Sequence, residues 1–208
     1  MNPIRIETTI VPDEFTDKVS AAFDYKFNGT SFFELPSFEK PREGFHLGVI
    51  VGSSGSGKSQ ILKHHFSHEE RIISWDPRRA IISHFDSPEV ALERLFAAGI
   101  SSIPTLCKPH HVLSNGEKYR AHVARIIQDE CIIDEFTSVV NRETAKSLSV
   151  SLSKYIRNKD IRNVVISSCH RDILDWLEPD WVFDCDSREI HQQDVRPRLK
   201  RIAKIEIY

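Results

Sequence analysis

Apolar residues run along the chain in two rhythms. Between about residues 5 and 45 they come in short alternating runs, "IRIETTIV" and "TSFFEL", separated by turn chemistry at Asn28-Gly29 and around Pro36 and Pro41. Alternation of that length predicts half-buried strands, so residues 1–46 are expected to form a small antiparallel β layer. From residue 47 onward the apolar runs become continuous, at 47–52, 71–75, 130–134, 163–168 and 181–184. They interleave with helical patterns at 58–66, 88–98, 116–128, 142–157 and 171–177. Continuous apolar strands alternating with amphipathic helices predict a buried parallel sheet of the α/β class. The stretch from Pro77 to Pro109 carries one short helix, "SPEVALERLFAAG", capped at Ser87 and stopped at Gly99, which predicts a small helical insertion over 77–112.

A chain of 208 residues is long enough for one such domain and too short for two. The expected organisation is a single domain over 1–208: a β layer at 1–46, a core at 47–190 and a basic tail at 191–208. Lys plus Arg number 28 against 30 for Asp plus Glu, and a formal net charge of −2 gives no global attraction to nucleic acid or to an anionic membrane. Cys107, Cys131, Cys169 and Cys185 are too widely spaced for a C-x-x-C zinc site and fit a reducing cytoplasm. The N-terminus lacks a charged-then-apolar signal pattern, and no window approaches 18 apolar residues, so neither a secreted nor a membrane-spanning protein is expected.

The first strand of the core runs directly into "GSSGSGKSQ": Gly52, Ser53, Ser54, Gly55, Ser56, Gly57, Lys58, Ser59 and Gln60. A Gly-x-x-x-x-Gly-Lys-Ser loop between a buried strand and a helix cradles phosphates. The glycines let the backbone turn its N–H groups inward, Lys58 reaches the β- and γ-phosphates, and the Ser59 hydroxyl can ligate Mg²⁺. Further on, "CIIDEF" places Asp134 and Glu135 at the C-terminal end of an apolar strand, where ligands sit in an open α/β sheet. Asp134 can hold Mg²⁺ through water, and Glu135 can polarise an attacking water beside the γ-phosphate. Upstream, "VLSNGEKYRAHVARII" opens a helix with Ser114 and Gly116 at its positive end. Those groups make either a second anion site or an ordinary Ser cap with Glu117 in a capping box.

Taken in order, the phosphate loop, "LSNGE", "CIIDEF", "TSVVNRETA" and His170 at the end of "NVVISSCH" resemble the ABC-type ATPase superfamily over about residues 47 to 185. The resemblance implies a P-loop NTPase fold with an ABC-type core and a reduced helical subdomain. It implies a head-to-tail homodimer that forms on ATP binding, each ATP lying between the phosphate loop of one chain and the "LSNGE" turn of the other. Carried over by motif, Ser59 and Asp134 hold Mg²⁺, Glu135 is the base, His170 senses the γ-phosphate, and Ser114 and Gly116 reach ATP in trans. The sequence departs from the family at several points. Asp76 or Trp75 stands where a Gln is expected and Asp76 is the metal candidate there; Phe136 replaces a Pro, Asn141 an Asp, Asn115 a Gly and Glu117 a Gln.

The short insertion argues against a transporter subunit. The strings "DEFTSVVNRETA" and "SCHRDILDWLEPDWVFD" resemble a subgroup of ABC-type ATPases fused to predicted GNAT-type acetyltransferases in archaea and phages, which makes a separately encoded acetyltransferase one candidate partner. The run Arg196, Arg198, Lys200, Arg201 and Lys204 could contact DNA phosphates, or be the solvated face of an edge strand. For a base-stacking aromatic, Tyr25 and Phe27 are the first candidates, with Phe32 and Phe33 behind them. His64, His65 and His68 read as surface histidines of the loop helix, since no Cys or acidic ligand lies nearby.

Overall fold

The computed structural model describes residues 4–66 and 73–192. Strand β1 (Arg5–Thr9) pairs antiparallel with β2 (Thr30–Glu34), in a register that sets Ile6 opposite Phe33. Between them lies a helix that the apolar pattern did not predict, α1 (Glu14–Ala22). Its stability is local. The Asp13 carboxylate accepts from the N–H of Phe15 and Thr16, the Thr16 hydroxyl closes a capping box, and no residue of the helix is buried.

The main sheet begins with β3 (Leu47–Val51), all five residues buried, as its unbroken apolar run requires. After the phosphate loop and α2 (Lys58–Phe66) the chain builds the insertion from α3 (Pro88–Ala97) and α4 (Ile103–Leu106), flanked by two 3₁₀ turns. The expected single helix of the insertion is therefore two. Ser87 caps α3 as expected, accepting from the Val90 N–H at 3.3 Å, and Gly99 follows its end with φ of +77°. Helix α5 (Asn115–Ile126) leads to β4 (Ile132–Ile133), α6 (Arg142–Asn158) to β5 (Val164–Ser168), and α7 (Leu174–Leu177) to β6 (Trp181–Asp184), which turns into β7 (Glu189–Gln192). The order across the sheet is β4-β5-β3-β6-β7, parallel except for the β7 edge. The strand expected at 71–75 is absent where its residues are described. Trp75 instead stacks on His110, with ring centroids 4.5 Å apart, and lies under the Arg125 guanidinium, which ties this stretch to the helical side. Residues 71–72, His68 and the basic run 196–204 lie outside the described residues.

Side chains alternate across the sheet with the period of a strand. Leu47, Val49, Val51, Val164 and Ile166 join a core with α3, α5 and α6, whereas Ile50, Val165 and Phe183 face α2, Leu35 and Phe38. Gly48 breaks this apolar run for a steric reason. The Trp181 indole packs against it, so that a β-carbon there would come within 2.0 Å of the ring. Trp181 in turn stacks parallel to Phe66 and edge-on to Phe45. Gly48→Ala is therefore expected to lower stability by about 1–3 kcal/mol through overpacking, despite the smaller entropy cost of Ala in a strand. Urea unfolding checks this: the variant's midpoint should fall, and an unchanged or higher midpoint would refute the packing argument.

Candidate functional site

Parallel pairing places the end of β3, the end of β4 and the end of β5 on one edge of the sheet. An open cleft of about 390 Å³ lies there. Ser54, Gly55, Gly57, Lys58, Ser59 and Gln60 line it from the loop; Glu135, Ser138 and Cys169 line it from the neighbouring strand ends; Ile6 and Phe33 line it from the N-terminal layer. Phe33, behind Tyr25 and Phe27 among the aromatic candidates, is thus the one set against the loop. A β-carbon on Gly57 would come within 2.8 Å of its ring, and Gly57 has φ of +94°, so glycine is required there twice over. Tyr25 is 62% exposed, and Phe32 lies beneath the Arg5 guanidinium.

Within the loop, Lys58 Nζ donates to the carbonyls of Gly52 and Ser53 at 2.9 and 2.7 Å. The ammonium is thereby held across the mouth of the loop. Ser53 is turned out of the cleft, its N–H and hydroxyl donating to the Asp186 carboxylate at 2.9 and 2.8 Å. Gly52 is packed too closely for a side chain, since a β-carbon would meet Ser56 Oγ at 2.5 Å and Cys185 Cβ at 2.9 Å. Burial pushes the Cys185 thiol up to about 11, so this group beneath the loop stays uncharged and does not repel an anion.

The Asp134–Thr137 segment is strained and heavily tethered. Glu135 and Thr137 both take left-handed backbone angles, φ of +51° and +69°, which cost non-glycine residues on the order of 1–3 kcal/mol each. The Ser167 hydroxyl donates to the Asp134 carboxylate and accepts from the Glu135 N–H, while the Phe136 N–H donates to the Ser167 carbonyl at 2.8 Å. Ser168 Oγ donates to the Phe136 carbonyl at 2.8 Å, and the Phe136 side chain is fully buried. A proline at 136 could not supply that N–H. Thr137 Oγ1 lies 3.1 Å from His170 Nδ1, so with the hydroxyl as donor the imidazole proton resides on Nε2. Ser167, Ser168 and Thr137 carry no sequence signal of their own, because small hydroxyl residues in a buried strand also serve as packing.

Other candidates stand elsewhere. Ser114 caps α5 in a full capping box: its hydroxyl accepts from the Glu117 N–H at 3.4 Å, and Glu117 Oε2 accepts from the Ser114 N–H at 3.0 Å. Neither Ser114 nor Gly116 lines the cleft of its own chain. Gly116 has room for a β-carbon, whose nearest neighbours would be an ordinary 3.6 Å away. Asp76 does not line the cleft either; its carboxylate accepts from the Arg78 N–H at 2.9 Å, and its own N–H donates to His84 Nε2 at 3.0 Å. Asn141 caps α6, accepting from the Thr144 N–H at 2.9 Å. His65 sits edge-on to Phe38, where burial lowers its basicity, and among the described residues no cluster of His, Cys, Asp and Glu could hold a metal ion.

No family model matches the sequence, and no curated protein matches it. Solved structures do match the fold. A dimeric structure of the ATP-binding cassette MJ0796 in a post-hydrolysis state, bound to ADP and Pi, covers 81% of this chain and 94% of its own length with a TM-score of 0.57 at 16% identity. A second dimeric structure of the same protein, described as a bacterial ABC transporter cassette, covers 74% and 87% with a TM-score of 0.54, also at 16% identity. The chain therefore has an α/β P-loop NTPase fold of the ABC cassette type, with a parallel core sheet and an antiparallel β pair ahead of it.

The capping box at α5 makes a prediction independent of any ligand. Hydrogen bonds from the Ser114 N–H and hydroxyl hold the Glu117 carboxyl below its ordinary range. A depressed folded value contributes stability above the unfolded carboxylate range and loses it as pH falls through the folded value. Ser114→Ala should cost about 0.5–2 kcal/mol at neutral pH and progressively less in acid. Chemical denaturation at pH 7 and at successively lower pH tests both the size and the sign.

Proposed function

We propose that this chain is an ABC-type ATPase that binds and hydrolyses ATP with Mg²⁺ at a head-to-tail dimer interface, coupling the cycle to a partner protein or nucleic acid. One observation carries the reading: the phosphate loop and Glu135 share a cleft, whereas the "LSNGE" turn, the other anion-binding element, stands outside it. Gly116 supports the second half of the argument. Glycine is a poorer helix former than alanine, and among the described residues nothing forbids a side chain at 116, so its use points to a close approach from outside. A second copy presenting its phosphates there would satisfy both elements.

In this mechanism Lys58 exchanges the loop carbonyls for the β- and γ-phosphates, a charge-assisted contact in place of a neutral one. Loop N–H groups at the start of α2 add the helix dipole. The hydroxyl of Ser59 and the carboxylate of Asp134 are hard oxygen donors suited to Mg²⁺, which when bound neutralises developing phosphate charge. Asp76 joins that set only by leaving its present partners. Glu135 orients and polarises the attacking water, and the Nε2–H of His170 is left free by Thr137 to donate to the γ-phosphate. Phe33 is the aromatic placed to meet the base. Gly52, Ser53 and Ser56 act through loop shape more than through contact.

A single domain over the whole chain completes the proposal, with the basic run 196–204 as the segment that would contact DNA and a separately encoded acetyltransferase as a candidate protein partner; His191 and Gln192, expected in the tail, belong to β7 instead. The engagement of Asp76 favours one second reading, an ATP-gated dimerisation module with negligible turnover, which steady-state phosphate release separates from an ATPase. Among the described residues no helix is long and apolar enough to cross a membrane.

The test uses two inactive variants. Lys58→Ala should abolish ATP binding in calorimetry, and Ser114→Arg should block the contact in trans. Mixed together they should recover activity, because a mixed dimer holds one site with both defects and one site with neither. Glu135→Gln with Mg-ATP should form a stable dimer in light scattering. A variant that stays monomeric at all concentrations, with no complementation in the mixture, would overturn the proposal.

A further inference from the structure

The Asp186 carboxylate, on the turn between β6 and β7, accepts hydrogen bonds from outside its own hairpin. Ser53 reaches it with both N–H and hydroxyl, at 2.9 and 2.8 Å, and Arg171 reaches it with one guanidinium nitrogen at 2.6 Å. The hairpin does not need Asp186 for itself. Asp184 already serves the turn, its carboxylate accepting from the Asp186 N–H at 2.9 Å and its carbonyl from the Arg188 N–H at 2.8 Å. Arg171 also grips Asp184 through two nitrogens, at 2.9 to 3.1 Å.

Position in the chain gives the network its meaning. Ser53 is one of the two residues whose carbonyls receive Lys58 Nζ, and Arg171 directly follows His170. A single carboxylate therefore fastens both a residue on which the phosphate-loop lysine rests and the residue next to the histidine on the adjoining strand end. We propose that Asp186 and Arg171 form a latch that holds the phosphate loop in register with the His170 arm, making both of them positioning residues for the phosphates of a bound nucleotide.

Isolated surface ion pairs contribute little, since water screens them and two side chains must be ordered. This one differs because its carboxylate also takes a backbone N–H and a hydroxyl, and its guanidinium sets Nε and one terminal nitrogen against the two oxygens of a second carboxylate. The charges also matter. Asp184 and Asp186 place two negative groups beside a loop built for anions, and Arg171 offsets one of them. Without Arg171 the loop would face both.

The latch rests on the nucleotide reading of the cleft, and the experiment separates the two. ADP and ATP affinities are measured by calorimetry for the wild type, Asp186→Ala, Arg171→Met, their double variant and Lys58→Ala, with folding of each checked by circular dichroism and thermal melting. Asp186→Ala should weaken ADP and ATP alike by about tenfold or more, because it loosens the loop that meets the phosphates shared by both. Arg171→Met should weaken ATP more than ADP, because only ATP carries the γ-phosphate that His170 would meet. The double variant should be no weaker than the worse single variant by more than about twofold, as expected for one coupled unit. Folded Asp186→Ala with unchanged affinity for both nucleotides would overturn the latch, as would strict additivity. Should Asp186→Ala fail to fold, Asp186→Asn decides: it keeps an acceptor for Ser53 and loses the charge that pairs with Arg171, so it should weaken ATP in the same direction as Arg171→Met but less, since Arg171 keeps Asp184, and wild-type affinities would reject the latch. Lys58→Ala with wild-type affinity would instead reject the phosphate-loop reading itself, and the latch with it.

Discussion

Everything at this site depends on the parallel pairing of β3 with β5 and β6. Parallel strands deliver their C-terminal ends to one edge, so the loop after Val51, the carboxylates after Ile133 and the histidine after Ser168 share that edge without being near in sequence; the loop and Glu135 line the cleft, while Asp134 and His170 stand outside its lining. The pairing is secured on both faces. Leu47 and Val49 sit against Val164 and Ile166 in one core, and Gly48 admits the Trp181 ring on the other side. A register slip of one residue would reverse these faces and carry the loop away from Glu135.

On that frame the site keeps one strained segment. Asp134 to Thr137 departs from the strand after only two paired residues and takes left-handed angles at Glu135 and Thr137. Such a path persists only when the surroundings over-determine it. Here Phe136 fills a fully buried position while Ser167 and Ser168 bond its backbone from the next strand. The Ser167 hydroxyl, on the same strand, orients the Asp134 carboxylate, and Thr137 sets His170. Strain and orientation thus have one cause, which explains why two consecutive serines stand in a strand that is otherwise apolar.

The sequence was most legible where local chemistry decides structure. Continuous apolar runs marked β3, β5 and β6, and Ser87 and Ser114 cap helices where their types and positions suggest. It was less legible where tertiary contacts decide. The strand expected at 130–134 shrinks to Ile132–Ile133, because Glu130 before it and Glu135 after it take left-handed angles that neither residue type announces, a conformation usually left to glycine. "RIISW" reads as a strand because its apolar residues suit one, yet Trp75 is taken up by His110 and Arg125. Helix α1 escaped notice for the opposite reason: Phe15 and Val19 are spaced for a helix but stay exposed, so its support is local, from the Asp13 cap and the Glu14–Lys18 pair one turn apart. Asp186 lies far from Ser53 in sequence, and only the return of β6 beside β3 joins them.

The reduced insertion bears on how a dimer of this chain would work. Ile81, Leu95, Ile100, Leu106 and Leu113 belong to the same packed cluster as Leu47 and Val49 of the sheet. The insertion, α5 and the sheet therefore share one interior, and close-packed interiors resist relative displacement of their parts. The Ser114 turn begins right after the buried Leu113, so swinging it toward its own phosphate loop would tear Leu113 out of that core. Closure of the proposed ATP site is thus far easier between two chains moving as units than within one chain. That constraint, more than the presence of any one motif, is why the proposed phosphate loop and the proposed anion-binding turn, held apart on one molecule, favour a symmetric pair.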